Sequence, residues 1–456
     1  MSTHLPERPA VVPAEATFDP PVVAARDEQI DPLIDPAEAG IADDADQSGT
    51  QSPRGRRPLL PSLAITSLVL IATYAGLVAV LLPNQVAGID PVNKVSNLAI
   101  VTSVSFICTL FAQPIVGAFS DRTRSRMGRR APWMVIGTAI AAALLIGLGS
   151  LTSIIWITVF WAIIQVSLNA MQGPFSAIVP DRFARSKRGA ASAMVGVGTT
   201  VGATAGVIAA GALAAQFGIA YAGFGIAVLV VTLLFVVFNR DFSSKNLELA
   251  PFRWKVFFAG FWIDPRKHPD FAWAFSARFL FILGYWAAFT YQLFILTDYI
   301  HLSLSEANAD IGLLAVASLV TTVVSVPLGG LLSDKLGRRK IFIYLASLFM
   351  IVGLLMPLLL PSLTGMILMS LVLGFGYGLY QSCDTALMTE VLPGGGVGAG
   401  KDLGILNVAT NVPQALSPIL AAVLIGTSFG YPALFVFAMI CVAVAALVII
   451  PIRSVR

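Results

Sequence analysis

From Leu59 onward the chain is a succession of apolar runs, each long enough to cross a bilayer and each closed by a polar connection. The runs fall near 59–83, 95–119, 133–150, 153–177, 190–215 and 219–238, then near 271–298, 307–332, 339–358, 363–388, 402–427 and 430–451. Each is close to the ~20 residues that a helix rising 1.5 Å per residue needs to span hydrocarbon. Lipid offers no partner to an unpaired backbone amide or carbonyl, so runs of this kind must be helical. The expected fold is therefore an all-α polytopic membrane protein of about twelve transmembrane helices. Only 12% of the 456 residues are charged, too few to cover a water-exposed surface of that size.

The charges that exist are unevenly placed. The odd-numbered connections hold Lys94 and no other Lys or Arg, whereas the even-numbered connections and the termini hold 27 of the 29 basic residues. Lys and Arg accumulate on the cytoplasmic side of membrane proteins, which predicts a multi-pass plasma (inner) membrane protein with both termini in the cytoplasm. No basic face interleaved with aromatics is present, so nucleic acid is not an expected partner. Residues 1–58 carry nine prolines and eleven acidic residues with no apolar periodicity, and are expected to form a disordered cytoplasmic tail. Cys108, Cys383 and Cys441 lie in apolar runs without metal-ligand spacing, and His4, His268 and His301 are scattered outside the runs. No metal and no cofactor is expected.

The chain also repeats itself. Gly117-Ala-Phe-Ser-Asp121-Arg122 returns as Gly330-Leu-Leu-Ser-Asp334-Lys335, and each copy proceeds to Gly-Arg-Arg, at Gly128-Arg129-Arg130 and Gly337-Arg338-Arg339. Gly117 and Gly330 are 213 residues apart, as are Pro180 and Pro393 after the fourth helix of each half. Two six-helix repeats in register follow: an N-terminal half over 59–238, a cytoplasmic linker over 239–270 and a C-terminal half over 271–456. Internal repeats around a midplane cavity are the architecture of secondary transporters.

The paired Gly-x-x-x-Asp-Arg/Lys…Gly-Arg-Arg loops resemble the signature of the major facilitator superfamily, and the resemblance extends over residues 59–456. The stretch Asp121-Arg122-Thr123-Arg124-Ser125-Arg126-Met127-Gly128-Arg129-Arg130-Ala131-Pro132-Trp133 is similar to the long loop of glycoside–pentoside–hexuronide cation symporters and of sucrose:proton symporters. Gly404-Ile405-Leu406-Asn407, followed by Pro413-Gln414, is similar to the start of helix eleven in the sucrose group. The resemblance implies a sugar or glycoside substrate with cation coupling. It also places the cavity between helices one, four, seven and ten. One departure is plain: melibiose-type symporters bind the coupling ion through acidic residues on helix two, where this chain has Gln113 and Thr109.

Polar residues inside the spans fall on single helical stripes. Helix four gives Trp161, Gln165, Asn169 and Gln172, and helix seven gives Arg278, Tyr285, Phe289 and Gln292. Helix ten gives Tyr377, Gln381 and Asp384, and helix eleven gives Asn407, Asn411 and Gln414. A polar stripe turns away from lipid, toward either a wet cavity or a neighbouring helix. Substrate lining and interhelical hydrogen bonding are both consistent with it. Asp384 and Arg278 are the ionisable residues set deep in spans, at similar depth, with Asp298 at the outer end of helix seven. A charge in hydrocarbon costs several kcal/mol unless paired. The pair reads either as the coupling site for a proton or another cation, or as a static brace. Gly117, Asp121, Arg122, Arg129 and Arg130, with Gly330, Asp334, Arg338 and Arg339, are expected to form a cytoplasmic gate; topology alone is the other reading of their charges.

The function expected is a proton-coupled sugar or glycoside symporter, monomeric in the bilayer and working by alternating access. An exporter of drugs or metabolites on the same fold is the alternative. No His/Asp/Glu cluster or nucleotide loop suggests an enzyme.

Overall fold

The computed structural model describes residues 59–241, 243–244, 265–391 and 399–452. The tail read over 1–58 and most of the linker lie outside the described residues. Those described form twelve helices long and apolar enough to cross a membrane. They are α1 (Leu59–Ile89), α2 (Lys94–Asp121), α3 (Ala131–Leu148), α4 (Ile154–Ser176), α5 (Arg185–Ala212) and α6 (Phe217–Phe238) in the first half. The second half holds α7 (Pro269–Thr290), α8 (Leu304–Leu336), α9 (Arg339–Leu359), α10 (Leu363–Val391), α11 (Ala399–Ile425) and α12 (Tyr431–Val448).

Local sequence sets several of the ends. Ser303 caps α8 by accepting from the Glu306 amide while the Glu306 carboxylate accepts from the Ser303 amide, a reciprocal capping box. Gly337 ends the same helix with φ +60°, a left-handed turn in which glycine is unstrained. Proline stands in the first turn of α3, α7 and α12, where its missing N–H has no helical acceptor in any case.

Several helices outrun their apolar core. The α8 helix continues through Ser333-Asp334-Lys335, and α1 continues six residues beyond the expected end at residue 83. Hydropathy marks where lipid begins, whereas the backbone ladder stops only at a cap. Two helices also change register near the ends that face away from the basic loops. Leu77–Leu81 in α1 is a π-helical turn, and the segment after α7 closes with another over Ile295–Tyr299. Pro83 follows the first. Its missing N–H breaks the i→i−4 ladder, and the wider turn absorbs the mismatch.

The two halves repeat the same packing. Within the first, α1 packs on α5 and α6, α4 on α2 and α3, and α3 on α6; within the second, α7 packs on α11 and α12, α10 on α8 and α9, and α9 on α12. Two equivalent seams join the halves, α2 against α11 and α8 against α5. Close approach in the first half comes from small residues: a Cβ added at Gly198, Gly202 or Gly206 of α5 would strike Ala64, Leu68 or Ala72 of α1. A Cβ at Gly196 would meet nothing within 4 Å among the described residues. In α10, Gly374 and Gly378 lie against Ser318 and Ser325 of α8, and Gly376 against Ala346 of α9. These glycines serve tight packing in a continuous helix rather than a bend.

Candidate functional site

The α7 and α10 helices run antiparallel, so stepping along one while stepping back along the other brings pairs of residues face to face. Three such pairs form layers. At the layer nearest the basic loops, Arg278 Nη1 lies 2.7 Å from Asp384 Oδ2. The Arg278 Nε and Nη2 donate to Thr410 Oγ1 of α11 at 3.3 and 3.2 Å. Tyr380, one turn before Asp384, donates to its Oδ1 at 2.9 Å. One step outward, Phe281 stacks on Tyr380 with ring planes 8° apart. Tyr285 stacks on Tyr377 at 4.4 Å and 20° in the third layer. Phe289 continues the stack 5.8 Å from Tyr285, and Trp286 meets Phe289 edge-on at 5.4 Å. Phe106 of α2 reaches this cluster from the other half, edge-on to Trp286 at 6.0 Å.

The pair is well enclosed. Its exposures are 8% for the Asp384 side chain and 18% for that of Arg278. In a low-dielectric interior a carboxylate and a guanidinium hold each other only if their remaining donors and acceptors are also met. Tyr380 and Thr410 meet them. Gln381, on the same face of α10 as Tyr377 and Asp384, stands exposed.

The first half carries fewer functional groups. Asn169 Nδ2 donates to the Tyr74 hydroxyl of α1 at 3.2 Å and to the Gln165 carbonyl at 2.8 Å. Gln165 is buried, and Gln172, Gln292, Asn411 and Gln414 are half-buried. Trp161 is fully buried in the apolar core and reaches no solvent. The side chain of Asn407 lies outside the described residues. Thr109 spends its hydroxyl on the Phe106 carbonyl at 2.8 Å. Among the described residues no group of three or more His, Cys, Asp or Glu stands ready for a metal ion.

The signature loops build matching charge clusters. Arg130, at the start of α3, lies 2.5 Å from Asp121 at the end of α2 and 3.1 Å from Asp181 after α4. Arg129 joins Asp181 at 2.9 Å. In the second half Arg339, at the start of α9, lies 3.4 Å from Asp334 and 2.9 Å from Glu390 at the end of α10. In each half one arginine thus ties three helix ends together. Arg122 is half-buried, and Arg338 is exposed. Gly117 and Gly330 face open space, with no described atom within 4 Å of an added Cβ. Ser244 and Asp241, at the start of the linker, dock on the first cluster. The Ser244 hydroxyl donates to the Thr123 carbonyl at 2.8 Å, and Arg182 lies 3.2 Å from Asp241. The Asp241 side chain also occupies the space in which a Cβ at Gly128, φ +86°, would stand.

The bonds that tie the halves together gather at the opposite end. Lys94 Nζ lies 2.6 Å from Asp298 and 4.9 Å above the Phe294 ring. Asn84 and Asn308 exchange amide hydrogen bonds of 2.7 and 3.1 Å. The Tyr291 hydroxyl reaches the carbonyls of Val95 and Pro418. The bundle is therefore latched at the end away from the basic loops.

Sequence reasoning missed Tyr380, Thr410, Tyr74, Phe106, Phe281, Trp286, Asp181 and Glu390 at these sites. Two left a signal: Tyr380 is one helical turn from Asp384, and Asp181 follows Pro180 of the repeat.

Twelve apolar spans in two halves of equivalent packing are the architecture of a membrane transporter built from an internal repeat. The sequence profile of the Major Facilitator Superfamily matches residues 62–308 and 288–456, and the chain belongs to that family. Its fold is similar to that of a bacterial homologue of the human lysosomal transporter Spinster in an inward-facing, unoccupied form. That likeness has 15% identity and a TM-score of 0.63, over 88% of this chain and 96% of that one. It is also similar to a mutant of the nucleoside transporter NupG, at 12% identity and TM-score 0.66, over 86% of this chain and 99% of that one. Identities this low report the fold.

Proposed function

We propose that this transporter is a proton-coupled symporter of a sugar or glycoside, with Asp384 as the proton-binding group and Arg278 as its partner. The observation that carries the reading is the arrangement of α7 and α10. A charged pair shielded from water sits beneath a ladder of stacked tyrosines. A sugar needs an apolar surface for its ring face and hydrogen-bonding groups for its hydroxyls; the tyrosines supply the first, and Gln381, Asn411, Gln414, Asn169 and Gln172 the second. Asp384 supplies a carboxylate whose proton affinity changes as Arg278 moves toward or away from it.

The basic end is read as cytoplasmic, with both termini there. The bundle, latched at the other end, is then in its inward-facing state. In the opposite state the clusters around Arg130 and Arg339 meet the facing half, and the space beside Gly117 and Gly330 is filled.

The test is uptake into proteoliposomes of a labelled panel of sugars, glycosides and nucleosides, with and without an imposed pH gradient. Nucleosides are included because NupG is named for them and a base would stack on tyrosines equally well. Accumulation of a sugar or glycoside only under the gradient is expected. Accumulation that ignores the gradient, or efflux of drug-like solutes in its place, rejects the reading.

A further inference from the structure

We propose that the proton carried by Asp384 lands on Oδ1, and that the Tyr380 hydroxyl admits it by turning from donor to acceptor. Tyr380 is then the positioning residue for proton binding. This rests on the proton-coupled reading and assigns the atom and the partner that it leaves open.

The two carboxylate oxygens have unlike partners. Arg278 Nη1 donates to Oδ2 at 2.7 Å, and the Tyr380 hydroxyl donates to Oδ1 at 2.9 Å. A guanidinium is a donor only, so it cannot accept from a protonated oxygen. A proton on Oδ2 would set two hydrogens face to face across 2.7 Å. Relief on that side requires the guanidinium to leave, and its Nε and Nη2 are engaged with Thr410 Oγ1 at 3.3 and 3.2 Å. A hydroxyl is both donor and acceptor, and its hydrogen rotates to suit the partner. On Oδ1 the same proton needs only that rotation. The O–H of the neutral acid then donates to the Tyr380 oxygen, and Oδ2 remains an acceptor for Arg278.

The surroundings fix the tyrosine oxygen and leave its hydrogen to turn. Tyr380 is buried and stands one helical turn before Asp384, at i and i+4 on α10. Phe281 of α7 stacks on its ring with planes 8° apart. That contact covers the face of the ring and holds the phenolic oxygen where Asp384 meets it. It places no demand on the hydroxyl hydrogen at the ring's edge. Protonation therefore turns one O–H away from the carboxyl group, and the protonated carrier presents a donor that the unprotonated carrier withholds.

The groups that face Asp384 are Arg278 from α7, Tyr377 and Tyr380 from α10, and the Thr410 hydroxyl from α11. The charged residues of α8 (Glu306, Asp310, Asp334 and Lys335) and of α9 (Arg339 and Lys340) stand near the ends of those helices, as do Asp270 of α7 and Glu390 of α10.

The test needs no solute. Infrared difference spectra of the full-length protein in lipid bilayers are taken across a pH titration. The carboxylic C=O band of protonated Asp384 is identified by its loss in Asp384→Asn. The tyrosine C–O stretch reports whether the hydroxyl donates or accepts; ring-labelled tyrosine and the Tyr380→Phe variant assign it. The two bands should change with one midpoint. In Asp384→Asn the amide oxygen must face Arg278, so its NH2 faces Tyr380, and the tyrosine band should hold its acceptor position at every pH. Tyr380→Phe keeps the ring that stacks on Phe281. There the Asp384 band should still appear, shifted to higher frequency because its O–H has lost the acceptor. A tyrosine band that stays in its donor position while Asp384 titrates, or an Asp384 band unmoved by Tyr380→Phe, overturns the inference and leaves Asp384 as the proton-binding group. Absence of an Asp384 carboxyl band at every pH overturns both.

Discussion

Asp298 is the acceptor on which the latched end closes. It receives Lys94 from the other half at 2.6 Å, the Thr297 hydroxyl at 2.9 Å and the Tyr431 hydroxyl at 2.8 Å. Asp298→Asn keeps an acceptor oxygen for one of the two hydroxyls and removes the ion pair. Partly exposed pairs contribute about 1 kcal/mol, so the variant should shift the conformational equilibrium about fivefold toward opening at that end. The check is reaction of a cysteine placed at Gln292 with an impermeant thiol reagent in a cysteine-free background; an unchanged rate would show that Lys94 does not hold the halves together. At the same scale, Asp384→Asn should abolish accumulation against a gradient while leaving exchange of substrate across the vesicle membrane. Retained uphill accumulation would make the pair a brace. Sequence placed Arg278 and Asp384 at similar depth because each can be counted from its own helix end. It could not supply Lys94 as the partner of Asp298, because that contact spans 204 residues and exists only through the packing of one half on the other.

The α1–α5 contact shows what is legible at the level of the helix. The spacing of Gly198, Gly202 and Gly206 announces a face for close approach, and the structure puts Ala64, Leu68 and Ala72 against it. Gly196 belongs to the same run of glycines by composition but turns elsewhere, so composition alone does not separate packing glycines from idle ones. Gly202→Leu should force the two helices apart, at a cost of about 3 kcal/mol, and lower the melting temperature in detergent, whereas Gly196→Leu should leave it unchanged. Equal melting of the two variants would deny the contact its role. The two π-helical turns left no trace in hydropathy, because Leu77–Leu81 and Ile295–Leu296 are as apolar as any helix and a change of hydrogen-bond register carries no compositional mark. The aromatic ladder was half legible: Tyr285, Phe289 and Tyr377 lie on polar stripes, whereas Trp286 and Phe281 look like ordinary lipid-span residues until α7 is laid beside α10.

For the molecule as a whole, the twelve spans and the repeat follow from apolar length and from the 213-residue offset, two signals that need no knowledge of packing. Sidedness rests on the distribution of Lys and Arg. A cysteine introduced at Ser305 should react with an impermeant thiol reagent added outside cells, and one at Ser186 should not; the reverse pattern would invert the proposed orientation and every statement about inward and outward states. What the offset does not predict is where the chemistry falls. Counting back 213 residues from Arg278, Thr410 and Asp384 reaches Ile65, Val197 and Met171. The scaffold has been kept in duplicate while the ionisable groups occupy one copy. A proton would therefore ride on the second half alone, while the first half would share in holding the solute through Asn169 and Gln172 and set which aqueous compartment the proton site can see. Proton coupling and access then become separable traits: exchanging the first six helices for those of a relative should retune the timing of opening and the grip on the solute, and leave the coupling to protons with the last six.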